Sequence, residues 1–519
     1  MAAAGFQVLV RDNSPFALTT ASVAGREQTV FRHGAKTLPE IYRKAAQMPQ
    51  TPFLVTDTAS IGTEELFGRA GAYAELLSAG GIGTDSRVAL ALKDDTDWIA
   101  SFIALTSLGA TAVLAGGKNP AHQIQAAGCS AAILDQAVPA GLDWIVSPEA
   151  LAGARAKPVP LVFHQIDPEQ EACIAFTSGS SGDPKGAILT HRGVVTGLMN
   201  MMLAGAAAAR AAPGAVTPMV KPVPPAILLR TPLAHVSAYM QFLLMLMIRG
   251  RVIRSSHSDI CDLIHRHQIT SVTGISDDEI RMLLAAGDRL HPLRSIAVVG
   301  RSLPARLRHA IRQTLPNLGL GSGYGLTETN GLICAIGNSE LDIRPRAVGP
   351  VLPTVECRIL RGDGLDCAAG ESGEIWLRGA MLMRGYCNAP DHEMPNGWFA
   401  TGDIGYLADD GILNVLDKED RFLRSGEERI SCRDIEDAAR ELGGIQDIAV
   451  LPVADRAGDR LFIVAAPGPE DFSCLRDFLA QRFPEQMIRQ AAFVAAEKLP
   501  RTPSGKIAYS RLLEDAIFR

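Results

Sequence analysis

The sequence lacks an excess of basic residues and any pair of cysteines at metal-binding spacing. It has 50 Lys and Arg against 56 Asp and Glu among 519 residues, a formal charge of −6. Binding to nucleic acid needs a basic excess or a basic patch, so we expect no nucleic-acid partner. The nine cysteines include no CxxC pair, which disfavours zinc and thioredoxin-like sites. An odd, scattered set favours reduced thiols and a cytoplasmic protein.

The sequence also has few segments that could act as a signal peptide or a membrane span. The N-terminus has no positively charged region before its short apolar stretch, so we expect no signal peptide. Trp98–Gly116 carries no charge over 19 residues, which is long enough to span a bilayer, but it lacks aromatic or basic anchors at both ends. We interpret it as a buried helix (97–108), a break at Gly109 and a strand (111–115). With Tyr239–Ile248 interpreted as a core helix, we expect no membrane span.

The order of patterns along the chain predicts an α/β protein of more than one domain, as its length requires. Helical and strand patterns alternate over the first 190 residues and return over 227–300, which predicts layered α/β subdomains. Residues 205–230, rich in Ala and Pro, are predicted to form a surface excursion. Short strands from Val348 to Val415 indicate a β-rich subdomain. The charged stretch Asp417–Arg421 predicts an exposed linker.

We therefore predict a large N-terminal domain, residues 1–417, and a small, mobile α+β domain, residues 418–519. Individual elements with clear periodicity support this division. The predicted elements are helices Glu64–Ser78, Trp98–Leu108, Asp434–Leu442 and Cys474–Phe483, and strands Arg87–Leu92, Thr111–Leu114, Ala131–Leu134, Ile448–Val453 and Leu461–Ala466.

The strongest local signal is a loop rich in hydroxyls and glycine, Phe176–Gly186, flanked by strand-like runs. Glycines allow the backbone to approach an anion closely, and hydroxyls, N–H groups and a lysine all attract phosphate oxygens. The loop does not match a Walker A motif. A flexible Ser/Gly linker is the alternative, and the flanking strands disfavour it. The candidate phosphate-binding residues are Thr177, Ser178, Gly179, Ser180, Ser181, Gly182 and Lys185.

This loop resembles the phosphate-binding loop of the adenylate-forming superfamily, which includes acyl-CoA synthetases, luciferases and peptide-synthetase adenylation domains. The resemblance extends from about Thr37 to Leu512 with motifs in the family order, and it is closest to acyl-CoA synthetases. It implies ATP, Mg²⁺ and coenzyme A as cofactors. The implied activity is that of an acid–thiol ligase, which activates a fatty or aryl acid as acyl-AMP, releases pyrophosphate and transfers the acyl group to coenzyme A.

A second motif, Gly323–Thr329, resembles the family's YGxTE sequence. Read alone, a Gly-Tyr-Gly segment is a turn, but a tyrosine between glycines also offers a flat face to a base. The resemblance implies that Tyr324 and Gly325 contact adenine and that Thr327 contacts the α-phosphate. It makes Glu328, a hard oxygen ligand, the Mg²⁺ ligand.

Three further motifs complete the predicted site. The resemblance of Trp398–Asp403 to WFxTGD implies that Asp403 accepts the ribose hydroxyls. The resemblance of Leu499–Lys506 to the last family motif implies that Lys506 catalyses adenylation, by offsetting charge in the transition state. Pro232–His235 places His235 at the mouth of the acid pocket. This motif has no Asp to pair with a substrate amine, which argues against an amino acid substrate.

The sequence departs from the family at several positions. Lys418 stands where a ribose-contacting arginine is usual and keeps the charge without the planar fork. Asp420 matches the family's hinge, and Glu427 replaces a glycine near the coenzyme A tunnel. Arg301 either faces solvent or binds a polar substrate tail. These changes leave open a carrier-protein thiol as acceptor, or a non-catalytic homologue that binds nucleotide or acyl ligands.

Overall fold

The computed structural model describes all of the chain apart from short segments. The excepted residues are 1, 51, 118, 136–140, 178–183, 212–223, 287–289, 300–302, 345, 390–392, 426–427, 443–444, 446, 456–457, 467, 469–470, 503–505 and 518–519. Seven residues singled out in the sequence therefore lie outside the described part: Ser178, Gly179, Ser180, Ser181, Gly182, Arg301 and Glu427.

The first layered unit is built on a seven-stranded sheet with a parallel centre. In spatial order its strands are Gly385–Tyr386, Gly186–Thr190, Glu171–Phe176, Thr111–Leu114, Arg87–Ala91, Ala131–Leu134 and Trp144–Val146. The helices that precede it or connect its strands are Ala2–Leu9, Leu38–Ala46, Thr63–Ala79, Asp95–Leu108, Pro120–Ala126, Pro148–Arg155 and His191–Ala211. The loop Phe176–Gly186 joins two antiparallel neighbours, as the sequence predicts.

The second unit is an eight-stranded sheet, again mostly parallel. Its strands in spatial order are Gly331–Gly337, Gly319–Leu326, Ser295–Val299, Ser271–Thr273, Ala226–Leu228, Arg251–Ile253, Leu54–Val55 and Ser60–Ile61. Its helices are Val236–Ile248, Ile260–His267, Asp277–Ala286, Ala305–Thr314 and Asn338–Ile343. The two units confirm the predicted layered α/β architecture.

The predicted β-rich subdomain is a five-stranded antiparallel sheet. Its strands in spatial order are Ala347–Pro350, Ile412–Lys418, Phe399–Leu407, Gly373–Arg378 and Glu356–Leu360. A separate two-stranded ribbon, Leu18–Val23 with Arg26–Phe31, lies near the start of the chain. The register of the larger sheet places Asp403 directly opposite Lys418.

The C-terminal part is α+β and has its own apolar core. Its strands are Phe422–Ser425, Glu428–Ser431, Asp447–Asp455, Gly458–Ala466 and Ala492–Ala495, and its helices are Cys432–Glu441, Ser473–Ala480, Glu485–Gln490 and Tyr509–Ile517. One cluster of buried side chains, which includes Leu423, Ile435 and Leu479, is drawn from residues 423–491 alone. A core that excludes the rest of the chain is what a separately folding unit needs.

The stretch Asp417–Arg421 is only partly the exposed linker that its charges predicted, because Glu419 and Asp420 are exposed but the two end residues are buried. Asp417 lies in the strand Ile412–Lys418 and is 4% exposed, while Arg421 ends the 3-10 turn Glu419–Arg421 and is 9% exposed. The two charges pair with each other at 2.9 Å, and Arg421 also pairs with Glu436 at 2.9 Å. Charge density in the sequence indicates exposure only when partners are absent, and here the partners are buried with the charges.

The predicted surface excursion over 205–230 is wrong near its end, where residues 226–229 are buried, although residues 208–211 are exposed. The helix His191–Ala211 includes the alanines of this region up to 211, and alanine has the highest helix propensity. Ala226–Leu228 is a buried strand at the centre of the second sheet. Between them, residues 212–223 lie outside the described part.

The two apolar runs are packed inside the protein. Asp95–Leu108 is a helix, Gly109 ends it with a left-handed φ of 76°, and Thr111–Leu114 is a strand, as predicted. The second run lies in the buried helix Val236–Ile248. Of the helices described, His191–Ala211 is the one whose length and apolar composition would suffice to cross a membrane, and half of its most apolar window is buried. These features match core helices.

Candidate active site

A cleft of about 3050 Å³ brings together every described residue that the motifs singled out. Its walls come from both layered units, the five-stranded sheet and the C-terminal part. The predicted site residues that line it are Thr177, Lys185, His235, Tyr324, Gly325, Thr327, Glu328, Asp403, Lys418, Asp420 and Lys506.

Asp403 is a buried carboxylate of the cleft that is bonded to two other predicted site residues. It is 6% exposed and accepts hydrogen bonds from the Tyr324 hydroxyl at 2.5 Å and from Lys418 Nζ at 2.9 Å. Burial and the neighbouring Asp403 charge raise the pKa of the Tyr324 phenol well above its ordinary value, so Tyr324 remains a donor. Burial acts to lower the pKa of Lys418, but attraction to Asp403 leaves it raised. Lys418 therefore stays charged.

Gly325 is required by a close approach between two strands. A β-carbon at this position would lie 2.0 Å from the carbonyl oxygen of Gly331 on the adjacent strand. The pairing register also shifts between Tyr324 and Gly325, which bends the strand end toward the 3-10 turn Thr327–Thr329. The glycine after the tyrosine thus sets the position of the 3-10 turn that begins at Thr327.

Glu328 has a partner that the sequence did not reveal. Its carboxylate is 9% exposed, and Oε1 accepts a hydrogen bond from the Tyr386 hydroxyl at 2.7 Å. Lys185 Nζ lies 5.3 Å from the centre of the Tyr386 ring, so Tyr386 links the exit of the phosphate loop to Glu328. Tyr386 stands outside every motif considered. Its strand Gly385–Tyr386 pairs with Ala187, a contact between distant segments that local patterns do not show.

The donor set of the cleft suits Mg²⁺ carried by a nucleotide. No group of three or more His, Cys, Asp or Glu side chains able to hold a metal occurs among the described residues. Glu328 is one buried carboxylate with an oxygen left beside the Tyr386 hydrogen bond. Mg²⁺ in nucleotide enzymes is commonly held by one or two carboxylates together with the substrate phosphates. The residues therefore fit the ion that the sequence predicted.

Hydrogen bonds hold the two ends of the predicted phosphate loop, where its flanking strands meet. Thr177 N donates to the carbonyl oxygen of Lys185 at 2.9 Å, and Gly186 N donates to Asn388 Oδ1 at 3.0 Å. These contacts fix the two ends of the predicted loop, whose tip lies outside the described residues.

Lys506 reaches the same cleft from the C-terminal part. Its segment is held by a bridge between Arg501 and Ile507 and by a 2.8 Å hydrogen bond from Thr502 N to the Lys506 carbonyl oxygen. Solvent reaches the side chain through the cleft, yet surrounding protein lowers the pKa of its ammonium. The charges of Asp403 and Glu328 act to raise that pKa, while Lys418 and Arg433 act to lower it. Lys506 therefore lies within electrostatic range of both nucleotide-site carboxylates.

His235 is the N-cap of the helix Val236–Ile248. Its Nδ1 accepts from Ser237 N at 3.2 Å and lies 2.8 Å from Ser237 Oγ. Burial, aided by the charge of Lys506, lowers the pKa of His235 to about 4. The imidazole is thus neutral near pH 7, and the start of this helix faces Lys506.

A network absent from the sequence prediction fixes the Lys506 segment. Tyr509 begins the last helix, and its hydroxyl donates to Glu436 Oε1 at 3.0 Å. Arg421, which follows the predicted hinge residue Asp420, pairs with Glu436 and covers the Tyr509 ring. Asp420 itself is exposed at the edge of the cleft. No linear motif joins 421, 436 and 509.

The comparisons with known proteins decide the family. The profile of the AMP-binding enzyme family matches residues 41–387, more than half of the chain. The chain belongs to the AMP-binding enzyme family. This result confirms the resemblance to adenylate-forming enzymes on which the motif assignments depend.

Related sequences and solved structures of other proteins match this AMP-binding enzyme over nearly its full length. A relative named 4-coumarate–CoA ligase 5, from Oryza sativa subsp. japonica, is 26% identical over 87% of this chain and 88% of its own. O-succinylbenzoate coenzyme A synthetase (MenE) from Bacillus subtilis, solved with ATP and magnesium ion, has a TM-score of 0.76 at 23% identity and covers 92% of this chain and 99% of its own. ATP-bound MatB from Rhodopseudomonas palustris has a TM-score of 0.77 at 20% identity, covering 93% and 100%. The fold class is confirmed.

Proposed function

We propose that this enzyme is an AMP-forming acid–coenzyme A ligase. In the first step a carboxylate oxygen of the acid attacks the α-phosphorus of ATP, and pyrophosphate leaves with the electrons of the broken P–O bond. In the second step the thiol of coenzyme A gives up its proton, its sulfur attacks the acyl carbon, and AMP leaves. Both steps depend on positioning and on charge stabilisation more than on covalent chemistry by the protein.

The observation that carries this proposal is the convergence of Lys506, Asp403 and Glu328 on one cleft from separate parts of the chain. In the proposed roles, Tyr324 and Gly325 contact adenine, Asp403 and Lys418 hold the ribose, and Thr327 with the Thr177–Lys185 loop holds phosphates. Glu328 holds Mg²⁺, which supplies Lewis-acid neutralisation of phosphate charge.

Lys506 neutralises charge that develops between the acid and the α-phosphate. Its surroundings favour this role, because Asp403 and Glu328 attract its charge while surrounding protein excludes part of the solvent. In low dielectric such a cation stabilises developing negative charge more strongly than in water. Neutral His235, at the mouth of the acid pocket, orients the acid without adding a competing charge.

We place the domain boundary between residues 417 and 418, with Asp420 as hinge. The separate apolar core of residues 423–491 supports this division, as does the exposure of Asp420 next to the buried Arg421. Turning about Asp420 would remove Lys506 after adenylation and bring the segment around Glu427 toward the acyl-AMP for the second step.

The acid in this proposal is fatty or aryl. The cleft wall formed by the helices His191–Ala211 and Val236–Ile248 supplies Met201, Ala204, Met240 and other apolar side chains. The relatives named 4-coumarate–CoA ligase favour an aryl acid. All nine cysteines are free, which supports a cytoplasmic location.

The deciding experiment measures pyrophosphate release from MgATP with fatty, aryl and dicarboxylic acids, with and without coenzyme A. We expect one acid class to give release that Lys506→Ala removes, and coenzyme A to convert the product to a thioester plus AMP. Pyrophosphate release without thioester would instead indicate a carrier-protein thiol as acceptor. ATP binding without release for every acid would favour a non-catalytic homologue.

A further inference from the structure

The side-chain amide of Gln241 faces the acid pocket without a partner. Gln241 lies in the second turn of the helix Val236–Ile248, lines the cleft and is 8% exposed. Among the residues that the structure describes, none makes a hydrogen bond with this amide. Buried polar side chains in folded proteins nearly always have a hydrogen-bond partner, so an unpaired amide directed into a pocket needs a ligand or water.

The surroundings of Gln241 are apolar on the same face of the helix. Met240, Leu244 and Met245 line the cleft beside it, and Ala204 lines it from the neighbouring helix His191–Ala211. Beyond its first turn, which carries Ser237, the helix thus presents Gln241 as one polar group within a hydrocarbon surface. A ligand that displaced water from this amide without replacing its hydrogen bonds would leave it unsatisfied, at a cost of about 1–3 kcal/mol, so the group that meets it matters for affinity.

The helix also sets the distance between this amide and the reacting carboxylate. His235 caps the start of the helix, where the charge of Lys506 acts on it. At a rise of 1.5 Å per residue, Gln241 lies roughly 9 Å further along the axis from His235. An acid bound with its carboxylate near His235 would bring a group at its far end to Gln241.

We propose that Gln241 is a specificity-determining residue that selects acids carrying a neutral hydrogen-bonding group, such as a hydroxyl or carbonyl, at the end remote from the carboxylate. An amide offers both a donor and an acceptor, which suits such a group. A charged tail would need a counter-charge, and the cleft-facing residues of this helix carry none. An unsubstituted hydrocarbon tail would leave the amide unpaired. This inference rests on the proposed ligase activity, whose substrate class it narrows.

The test compares matched acids that differ by one hydroxyl. The pairs are para-hydroxycinnamate with cinnamate, and decanoate with its terminal-hydroxyl derivative. We expect kcat/KM for pyrophosphate release to favour the hydroxylated member of at least one pair by about 10- to 100-fold. Gln241→Leu should abolish that ratio by slowing the hydroxylated acid. Met247→Leu, on the same helix but outside the cleft lining, should preserve it. If Gln241 had only a structural role, Gln241→Leu would change kcat/KM for both acids of a pair by the same factor.

Binding measurements separate this inference from the proposed activity. Calorimetry with each acid in the presence of a non-hydrolysable ATP analogue reports the same preference without turnover. A Gln241-dependent binding preference without pyrophosphate release would uphold the pocket and overturn the ligase assignment. Equal kcat/KM and equal affinity within every pair, or a preference that survives Gln241→Leu, would overturn the role of Gln241 alone.

Discussion

The guanidinium carbon of Arg421 lies 3.9 Å from the centre of the Tyr509 ring, and both side chains share Glu436. Arg421 directly follows the proposed hinge residue Asp420, and Tyr509 lies three residues after Lys506. Because buried ion pairs and stacked cations hold a defined geometry, this contact positions the lysine relative to the hinge. Glu436 is 3% exposed and also accepts from Val450 N at 2.9 Å, which fixes it in the small domain's core.

Replacing Tyr509 with leucine should impair adenylation more than thioester formation. The variant removes the stacked ring and the hydroxyl that donates to Glu436, so Lys506 loses its support. We expect the rate of pyrophosphate release to fall about tenfold, since roughly 1.4 kcal/mol of positioning corresponds to that factor. Thioester formation from supplied acyl-AMP should change little.

Phe478→Leu is the matched control for Tyr509. Phe478 also carries a stacked arginine, Arg482 at 3.8 Å, but it does not line the cleft. An equal loss of pyrophosphate release in this variant would show that general weakening of the small domain, and not the position of Lys506, explains the effect.

Lys506→Ala should reduce adenylation by about 10²–10³-fold, the effect of removing one preorganised group that stabilises transition-state charge. The measurement is single-turnover formation of acyl-AMP at saturating ATP. Exposed Lys157 lies outside the cleft, and Lys157→Ala should leave the rate unchanged. A Lys506→Ala enzyme with a normal adenylation rate would remove this lysine from the mechanism.

Tyr386→Phe should raise the Mg²⁺ concentration needed for half-maximal activity. The Tyr386 hydroxyl orients Glu328 through a 2.7 Å hydrogen bond, and loss of such an outer contact typically weakens metal binding 10- to 100-fold. The aromatic contact with Lys185 remains in the variant. A Mg²⁺ titration of pyrophosphate release tests this, and an unchanged curve at lowered overall rate would argue that Tyr386 does not act through Glu328.

Gly325→Ala should destabilise the protein and abolish most activity, because the new methyl would lie 2.0 Å from a backbone oxygen. Such overpacking typically costs about 1–3 kcal/mol. Gly321 on the same strand is the control, since a β-carbon there would meet its neighbours at ordinary distances of 3.9 Å and more. Urea unfolding of both variants should separate them, and equal stabilities would contradict the predicted clash.

Acid should weaken the fold through His191. Burial lowers its pKa to about 4, against an ordinary 6.5. The unfolded chain therefore takes up a proton below pH 6.5 that the folded protein takes up only near pH 4. Stability from this residue is fully present above pH 6.5 and is lost as pH falls through that window, by about 1.4 kcal/mol per pH unit.

The variant His191→Asn tests this titration while keeping an acceptor for Leu38 N, which donates to His191 Nδ1 at 3.3 Å. His235 has a similarly lowered pKa and titrates in the same window, so the variant should lose only part of the acid sensitivity. Urea unfolding at pH 7 and pH 5 gives the difference. An undiminished difference in His191→Asn would mean that this histidine does not take part.

Much of the fold followed from local patterns. The strands Thr111–Leu114 and Ala131–Leu134 have the predicted bounds, because short apolar runs between turn residues define parallel core strands. The motifs supplied the site residues for the same kind of reason, since each is a short segment whose chemistry lies in adjacent positions. The structure brings the described ones to one cleft, while their individual roles remain predictions.

What the sequence could not show were contacts between distant segments. Tyr386 meets Glu328 only because the strand Gly385–Tyr386 pairs with the exit of the phosphate loop. Asp417 and Arg421 looked solvated because Ser431, which bonds Asp417, and Glu436, which pairs with Arg421, are not adjacent to them in the chain. Gln241 sits in an apolar run, and nothing in that run tells whether its amide is bonded. In each case the deciding quantity is a partner, which only the folded chain supplies.

The bonding of Asp403 has a consequence for nucleotide exchange. A carboxylate has about four lone-pair directions. Within the described part of the chain, Tyr324 and Lys418 take one each, on different oxygens. Two directions are left, which is the number that the two hydroxyls of a ribose require. Under the proposed role, ATP can therefore bind and AMP can dissociate while Asp403 keeps its ion pair with Lys418. The ribose-binding carboxylate is thus already positioned before each new ATP binds.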